Sequence, residues 1–151
     1  MAKGRSRIAK DHNLALRLND ACSTGKSPSQ VVKAMAAVKP AGQTNLHEAL
    51  DTAFRFRSQK LDTIYVLSDG LPNLGPELTP AQKDLSDTEK SKFLSKHLRR
   101  HLKEEWNVKD ERGRRVVINT IGFFYESEDI GAFLWALARE NDGSFVGMSK
   151  P

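Results

Sequence analysis

Asp62-Thr63-Ile64-Tyr65-Val66-Leu67-Ser68-Asp69-Gly70 is the stretch that decides the fold. Thr63 to Leu67 are β-branched, aromatic or aliphatic without interruption, and a Ser-Asp-Gly turn signal closes the run. That pattern suits a short strand covered on both faces, as strands of parallel sheets are. Downstream, Val116-Val117-Ile118-Asn119-Thr120-Ile121 repeats it and stops at Gly122, and Ser144 to Met148 reads as a final short strand. Helical patterns separate the strands. Leu94, Leu98, Leu102 and Trp106 recur every fourth residue with Phe93 beside them, and Asp87 or Thr88 can cap the start. Ile130, Phe133, Leu134, Leu137 and Ala138 then trace one helical face that ends at Asn141-Asp142-Gly143. The order strand, helix, strand, helix, strand predicts right-handed βαβ units. The expected fold class is therefore α/β, a partial doubly wound, Rossmann-like parallel sheet of about three strands with flanking helices.

Upstream, residues 1–28 read as a basic, polar lead with an amphipathic helix around Asp11 to Cys22. Ser27-Pro28 opens a helix over Ser29 to Val38, closed by Pro40 and Gly42. Asn45 with Glu48 three residues on makes a capping-box-like start to a helix through Leu46, Ala49, Leu50, Ala53 and Phe54 that ends near Ser58. Between Leu71 and Ser86, the residues Pro72, Asn73, Gly75, Pro76 and Pro80 exclude regular structure throughout.

The chain has 151 residues, 38% hydrophobic and 28% charged, the length of one domain with enough apolar residues for a core. No apolar run approaches the roughly 20 residues of a membrane span. Met1 to Lys10 is basic with no apolar stretch behind it, so a secretory leader is not expected, and the single cysteine, Cys22, excludes an internal disulfide or a multi-thiolate metal site. A reducing compartment, cytoplasmic by default, is the expectation. The net charge of +5 sits wholly between Glu89 and Arg115, where ten Lys or Arg face five Asp or Glu. Lys92, Lys96, Arg99, Arg100, Arg112, Arg114 and Arg115 form a candidate basic patch for nucleic acid or an acidic partner. No aromatic interleaving there suits base stacking, and a solvated helix face explains the same charges.

Several motif fragments lead nowhere. Ser23-Thr24-Gly25-Lys26-Ser27 lacks the first glycine of a phosphate-binding loop, because position 20 is Asp20, and no strand precedes it. His97 and His101 are four apart, but the zinc-protease pattern needs Glu where Leu98 stands, and no third ligand is evident. Ser68 has neither the preceding glycine nor the placed histidine of a nucleophile. The expectation is a protein without enzymatic activity.

What remains is Thr44 and Asp69. In an open parallel sheet, ligands bind beyond the carboxyl ends of the strands. Asp69 stands where the Thr63 to Leu67 strand ends, and Thr44 stands just before a helix begins, so both can face one crevice. A carboxylate with a hydroxyl suits a hard cation such as Mg²⁺. The same two residues also read as a turn and a helix cap.

Gly42-Gln43-Thr44-Asn45-Leu46-His47-Glu48-Ala49-Leu50, then Asp62 to Leu71-Pro72-Asn73, closely resembles the von Willebrand factor type A domain. Val117 to Gly122, the helix through Phe133-Leu134-Trp135-Ala136-Leu137-Ala138, and Asn141-Asp142-Gly143-Ser144-Phe145-Val146-Gly147 resemble that family's last two strands and the helix between them. The resemblance runs from about Ser27 to Met148, with a long insertion between Pro72 and Val116. It implies a doubly wound domain that recognises proteins through a metal-ion-dependent adhesion site, with Thr44 matching the site's threonine and Asp69 its last aspartate. The family's Asp-x-Ser-x-Ser loop has no counterpart here, and residues 1–28 are too few and too polar to supply its first three strands. The expected organisation is the basic lead over 1–28 and the carboxyl-terminal portion of such a domain over 29–151, with the long loop and basic helix at 71–115. The incomplete site would leave Mg²⁺ mostly to solvent. The strand beginning at Thr63 would lack its family neighbour, and its exposed edge would meet a protein partner or a second copy.

Overall fold

The computed structural model describes residues 27–37, 44–76, 78–123 and 128–148. The helix expected over Asp11 to Cys22 and the turn at Ser23 to Lys26 lie outside them. The chain divides into two compact units, Met1–Gly42 and Gln43–Pro151. In the first, α1 spans Pro28–Ala36, with Pro28 at the first helical position, where a missing N–H is no loss.

The second unit runs α2 (Leu46–Phe54), β1 (Thr63–Ser68), α3 (Asp87–His101), β2 (Val117–Phe123), α4 (Glu128–Glu140) and β3 (Phe145–Met148). Short 3₁₀ turns cover Arg57–Gln59 and Pro80–Asp84. The three strands form one parallel sheet in the order β1-β2-β3. Ile64 stands opposite Ile118 and Val66 opposite Thr120, and Thr120 in turn pairs with Phe145. This is the partial α/β, Rossmann-like sheet with flanking helices that the strand and helix order predicts.

The core lies on one side of that sheet. Val66 and Ile118 from the strands, Leu50 and Phe54 from α2, Leu98 from α3 and Phe133, Leu134 and Leu137 from α4 make one buried cluster. Thr120, also buried on that face, donates its hydroxyl to the Leu134 carbonyl at 2.9 Å, so its polar group is satisfied against α4. The opposite face differs from the expectation of two covered sides. Tyr65 is 64%, Leu67 55%, Val146 55% and Met148 45% exposed. The continuous apolar run is explained on one face by the helices and on the other by a row of aliphatic and aromatic side chains that face outward. Among the described residues β1 is an edge strand, paired with β2 alone.

Helix α3 starts one residue earlier than expected. Ser86 is its cap: the Ser86 hydroxyl accepts from Glu89 N at 3.3 Å, and the Glu89 carboxylate accepts from Ser86 N at 3.1 Å. The Ser86 hydroxyl also donates to the Glu89 carboxylate at 2.6 Å, and this bond first, with that from Ser86 N second, holds the Glu89 carboxyl below its ordinary pKa. The Ser-x-x-Glu box outcompetes Asp87 and Thr88, which lack a glutamate or glutamine three residues on. At its far end the helix widens into a π turn, Leu102–Trp106, closed by Asn107 N donating to the Leu102 carbonyl at 2.8 Å. Asn107 is 1% exposed and fills that bend. Its amide donates to the Val116 carbonyl and to Asn141 Oδ1, each at 2.8 Å, and its Oδ1 accepts from Val116 N at 2.8 Å. Asn141 in turn donates to the Leu137 carbonyl at 2.7 Å.

The expected turn at Asp110 to Gly113 is present, with Gly113 at φ 72° and its N–H donating to the Asp110 carbonyl at 2.8 Å. Gly143, just past α4, is required by proximity: a Cβ there would sit 1.9 Å from the Ile118 carbonyl oxygen. Among the described residues no helix is long and apolar enough to cross a membrane.

Candidate functional site

The carboxyl ends of β1 and β2 frame a cleft of about 420 Å³ lined by Thr44, Leu67, Ser68, Asp69 and Phe123. Thr44 and Asp69 arrive from different directions. Asp69 follows directly on the last residue of β1, where the chain must leave the sheet. Ser68 shapes that exit by donating its hydroxyl to the Gly70 carbonyl at 2.7 Å and accepting from Gly70 N at 3.3 Å. Thr44 precedes the α2 cap, Asn45, whose side chain accepts from Glu48 N at 3.1 Å and donates to the Glu48 carboxylate at 3.0 Å. The cap expected at Asn45 is thus formed, and it fixes the direction in which the chain enters α2 from Thr44.

A second tie holds Thr44 to the loop after Asp69. Thr44 N donates to Asn73 Oδ1 at 2.7 Å, and the Thr44 carbonyl accepts from Asn73 N at 3.1 Å and Leu74 N at 3.2 Å. These three bonds span 29 or 30 positions of sequence, and they keep the hydroxyl-bearing loop beside the carboxylate-bearing one. The role of Asn73 escaped the sequence reading. The residue stood in the stretch Asp69-Gly70-Leu71-Pro72-Asn73, but neither periodicity nor capping rules link it to Thr44.

As donors for a cation, the Asp69 carboxylate and the Thr44 hydroxyl are both exposed and chemically suited to Mg²⁺. The Ser68 hydroxyl is engaged with Gly70. Among the described residues no group of three or more His, Cys, Asp or Glu is placed to hold a metal ion. The donor set fits a cation that keeps most of its waters or takes its remaining oxygens from a partner.

The basic residues are not assembled into one patch. Lys92, Lys96 and Arg99 line a cleft of about 190 Å³ between α3 and α4. Arg112, Arg114 and Arg115 belong to the turn that leads into the amino end of β2. Several are neutralised internally. Arg99 Nε donates to Glu140 at 2.8 Å, and a second bond from the same guanidinium completes the fork and raises the Arg99 pKa. Arg115 grips Asp142 through Nε at 3.0 Å and Nη2 at 2.8 Å. Arg114 lies 3.4 Å from Asp110, and Lys92 lies 3.4 Å from Asp129. The Asp110 carboxyl is held below its ordinary pKa, chiefly because it accepts the Arg114 N–H. Lys96, Arg100 and Arg112 are exposed and make no ion pair among the described residues.

His97 and His101 are partly buried rather than solvent-facing. With His47 and Trp106 they form a run of ring contacts: His101 to Trp106 at 4.4 Å, His47 to Trp106 at 4.8 Å and His47 to His101 at 5.5 Å between centroids. The His101 Nδ1 is 3.0 Å from the Glu105 carboxylate. These rings pack α2 against the end of α3.

No protein-family profile matches the chain, and no curated protein sequence matches it.

Proposed function

We propose that the chain is a non-enzymatic protein-interaction module of the von Willebrand factor type A kind, with Thr44 and Asp69 the remnant of its metal-ion-dependent adhesion site. The observation that carries this reading is that Thr44 and Asp69, 25 positions apart in sequence, line one cleft at the carboxyl end of a parallel sheet. Such crevices are where open α/β sheets take their ligands. The residues that resemble the family form the two loops and the strand that build the cleft.

The chain's own part in binding follows from the donors present. Asp69 supplies a charged oxygen, Thr44 a neutral one, and the bonds to Asn73 and Leu74 hold the Thr44 backbone so that this loop does not have to be ordered at the moment of binding. Mg²⁺, when bound there, supplies a positive centre for a partner's carboxylate. With so few protein oxygens, affinity for the ion alone is low and rises when a partner contributes its own.

Thermal unfolding of wild type and Asp69→Ala across Mg²⁺ and Mn²⁺ concentrations tests the proposal. At ten times the dissociation constant the ion stabilises wild type by about 1.4 kcal/mol, a rise of about 4 °C, and leaves Asp69→Ala unmoved. Equal, negligible responses in both proteins would remove metal-dependent adhesion and leave a metal-free scaffold.

A further inference from the structure

The loop that carries Asp69 also lines two clefts that hold lysines. Asn73, which receives the Thr44 N–H, lines a cleft of about 300 Å³ with Lys83 and Lys90. Leu71, two residues beyond Asp69, lines the cleft of about 190 Å³ that holds Lys92, Lys96 and Arg99. The loop 69–76 therefore contributes lining residues to three clefts, one holding Asp69 and two holding lysines.

Both lysine-lined clefts are amphipathic. Leu74, Pro76 and Leu78 line the first, and Leu71, Ala132 and Phe133 the second. Their cations are only partly neutralised from within. Lys90 has a loose contact with Asp87 at 3.6 Å and Lys92 one with Asp129 at 3.4 Å, while Lys83 and Lys96 are exposed and have no ion pair among the described residues. The second cleft also includes Ser95, whose buried hydroxyl has no hydrogen-bond partner among the described residues.

We propose that the clefts sharing this loop form a docking surface for an acidic segment of a partner protein in which carboxylates alternate with apolar side chains. Its carboxylates pair with Lys83 and Lys90 in one cleft and with Lys92 and Lys96 in the other, and apolar side chains seat against Leu74 and Ala132. This deepens the protein-interaction reading of the same site and rests on it. A protein segment fits better than nucleic acid for two reasons. The arginines best suited to fork onto phosphates, Arg99 and Arg115, are already engaged with Glu140 and Asp142. The clefts are separate, partly apolar hollows rather than one continuous charged groove with stacking rings.

The test uses the full chain and a labelled twelve-residue peptide repeating Glu-Leu-Asp, read by fluorescence anisotropy at low and high salt, with and without Mg²⁺. Binding is expected at low salt and weakens as salt rises. Lys83→Glu and Lys96→Glu each weaken it about tenfold, because each converts an attraction into a repulsion at an exposed site. Unchanged circular dichroism and unfolding temperature verify that these variants fold. Loss of binding on lysine reversal but not on metal chelation or in Asp69→Ala sustains the lysine clefts and overturns the metal site. Loss on chelation and in Asp69→Ala, with both lysine variants binding as wild type, does the reverse. Absence of binding at low salt, or displacement of the peptide by a twelve-nucleotide oligo-dT, overturns the docking surface for an acidic segment.

Discussion

Asn107→Ala is the substitution whose cost can be worked most directly from the structure. The side chain is 1% exposed and makes three hydrogen bonds, each 2.8 Å, to Val116 N, the Val116 carbonyl and Asn141 Oδ1. Truncation leaves both backbone groups of Val116, itself buried, without these partners. Each orphaned buried group costs about 1–3 kcal/mol, and the three are not additive because they share one side chain, so the loss is about 4 kcal/mol. That is a large share of the roughly 5–15 kcal/mol that holds a domain folded. With a urea slope of about 2 kcal/mol per molar, the midpoint falls by about 2 M. Asn141→Ala breaks the same network from the other end, so a double-mutant cycle should show coupling of about 1–2 kcal/mol. Val116 leads into β2, and β2 positions β1 and hence Asp69, so the variant should also blunt any Mg²⁺ response. A midpoint shift below about 0.5 M, or strictly additive costs for the two asparagines, would refute the network as described.

Three shorter predictions follow from other contacts. Gly143→Ala forces backbone apart at Ile118, where the new Cβ would stand 1.9 Å from a carbonyl oxygen, and should cost about 3 kcal/mol in urea unfolding. Tyr65→Ser and Val146→Ser, on the exposed face of the sheet, should each cost under about 1 kcal/mol, against about 3 kcal/mol for Leu134→Ala in the core. Asp110 has its carboxyl pKa lowered in the folded state, so it contributes stability above its ordinary value, near 3.8, and that contribution disappears as pH falls through the lowered value. Urea midpoints of wild type and Asp110→Asn should therefore differ at neutral pH and converge in strong acid; a gap that persists unchanged would contradict the assignment.

The parts of the fold set by local chemistry were legible in the sequence. Strands at Thr63 and Val117, the cap at Asn45 and the stop at Asn141-Asp142-Gly143 each depend on residues a few positions apart, and each is found. Long-range features were not. Asn107 and Asn141 are 34 positions apart, and nothing in periodicity distinguishes two buried asparagines from two loop residues. Thr44 and Asp69 were placed at one crevice by strand topology, yet their tie through Asn73 depends on how two loops meet. Charge counting found the basic helix but not the fate of its charges, because the partners Asp129, Glu140 and Asp142 come from a later part of the chain. The exposed sheet face was missed for a related reason: an apolar run declares its affinity for a covering layer, not whether one lies above it.

The π turn at Leu102–Trp106 acts as a phase correction. A helix that continued after His101 at regular pitch would carry Asn107 about 100° around the axis from each neighbouring position, with no freedom to choose its heading. One wide turn slips that phase while leaving Leu94, Leu98 and Leu102 in their stripe. Deleting a single residue between Leu102 and Trp106 would regularise the helix and swing Asn107 away from Val116, so a more ideal helix here would yield a less well-anchored sheet.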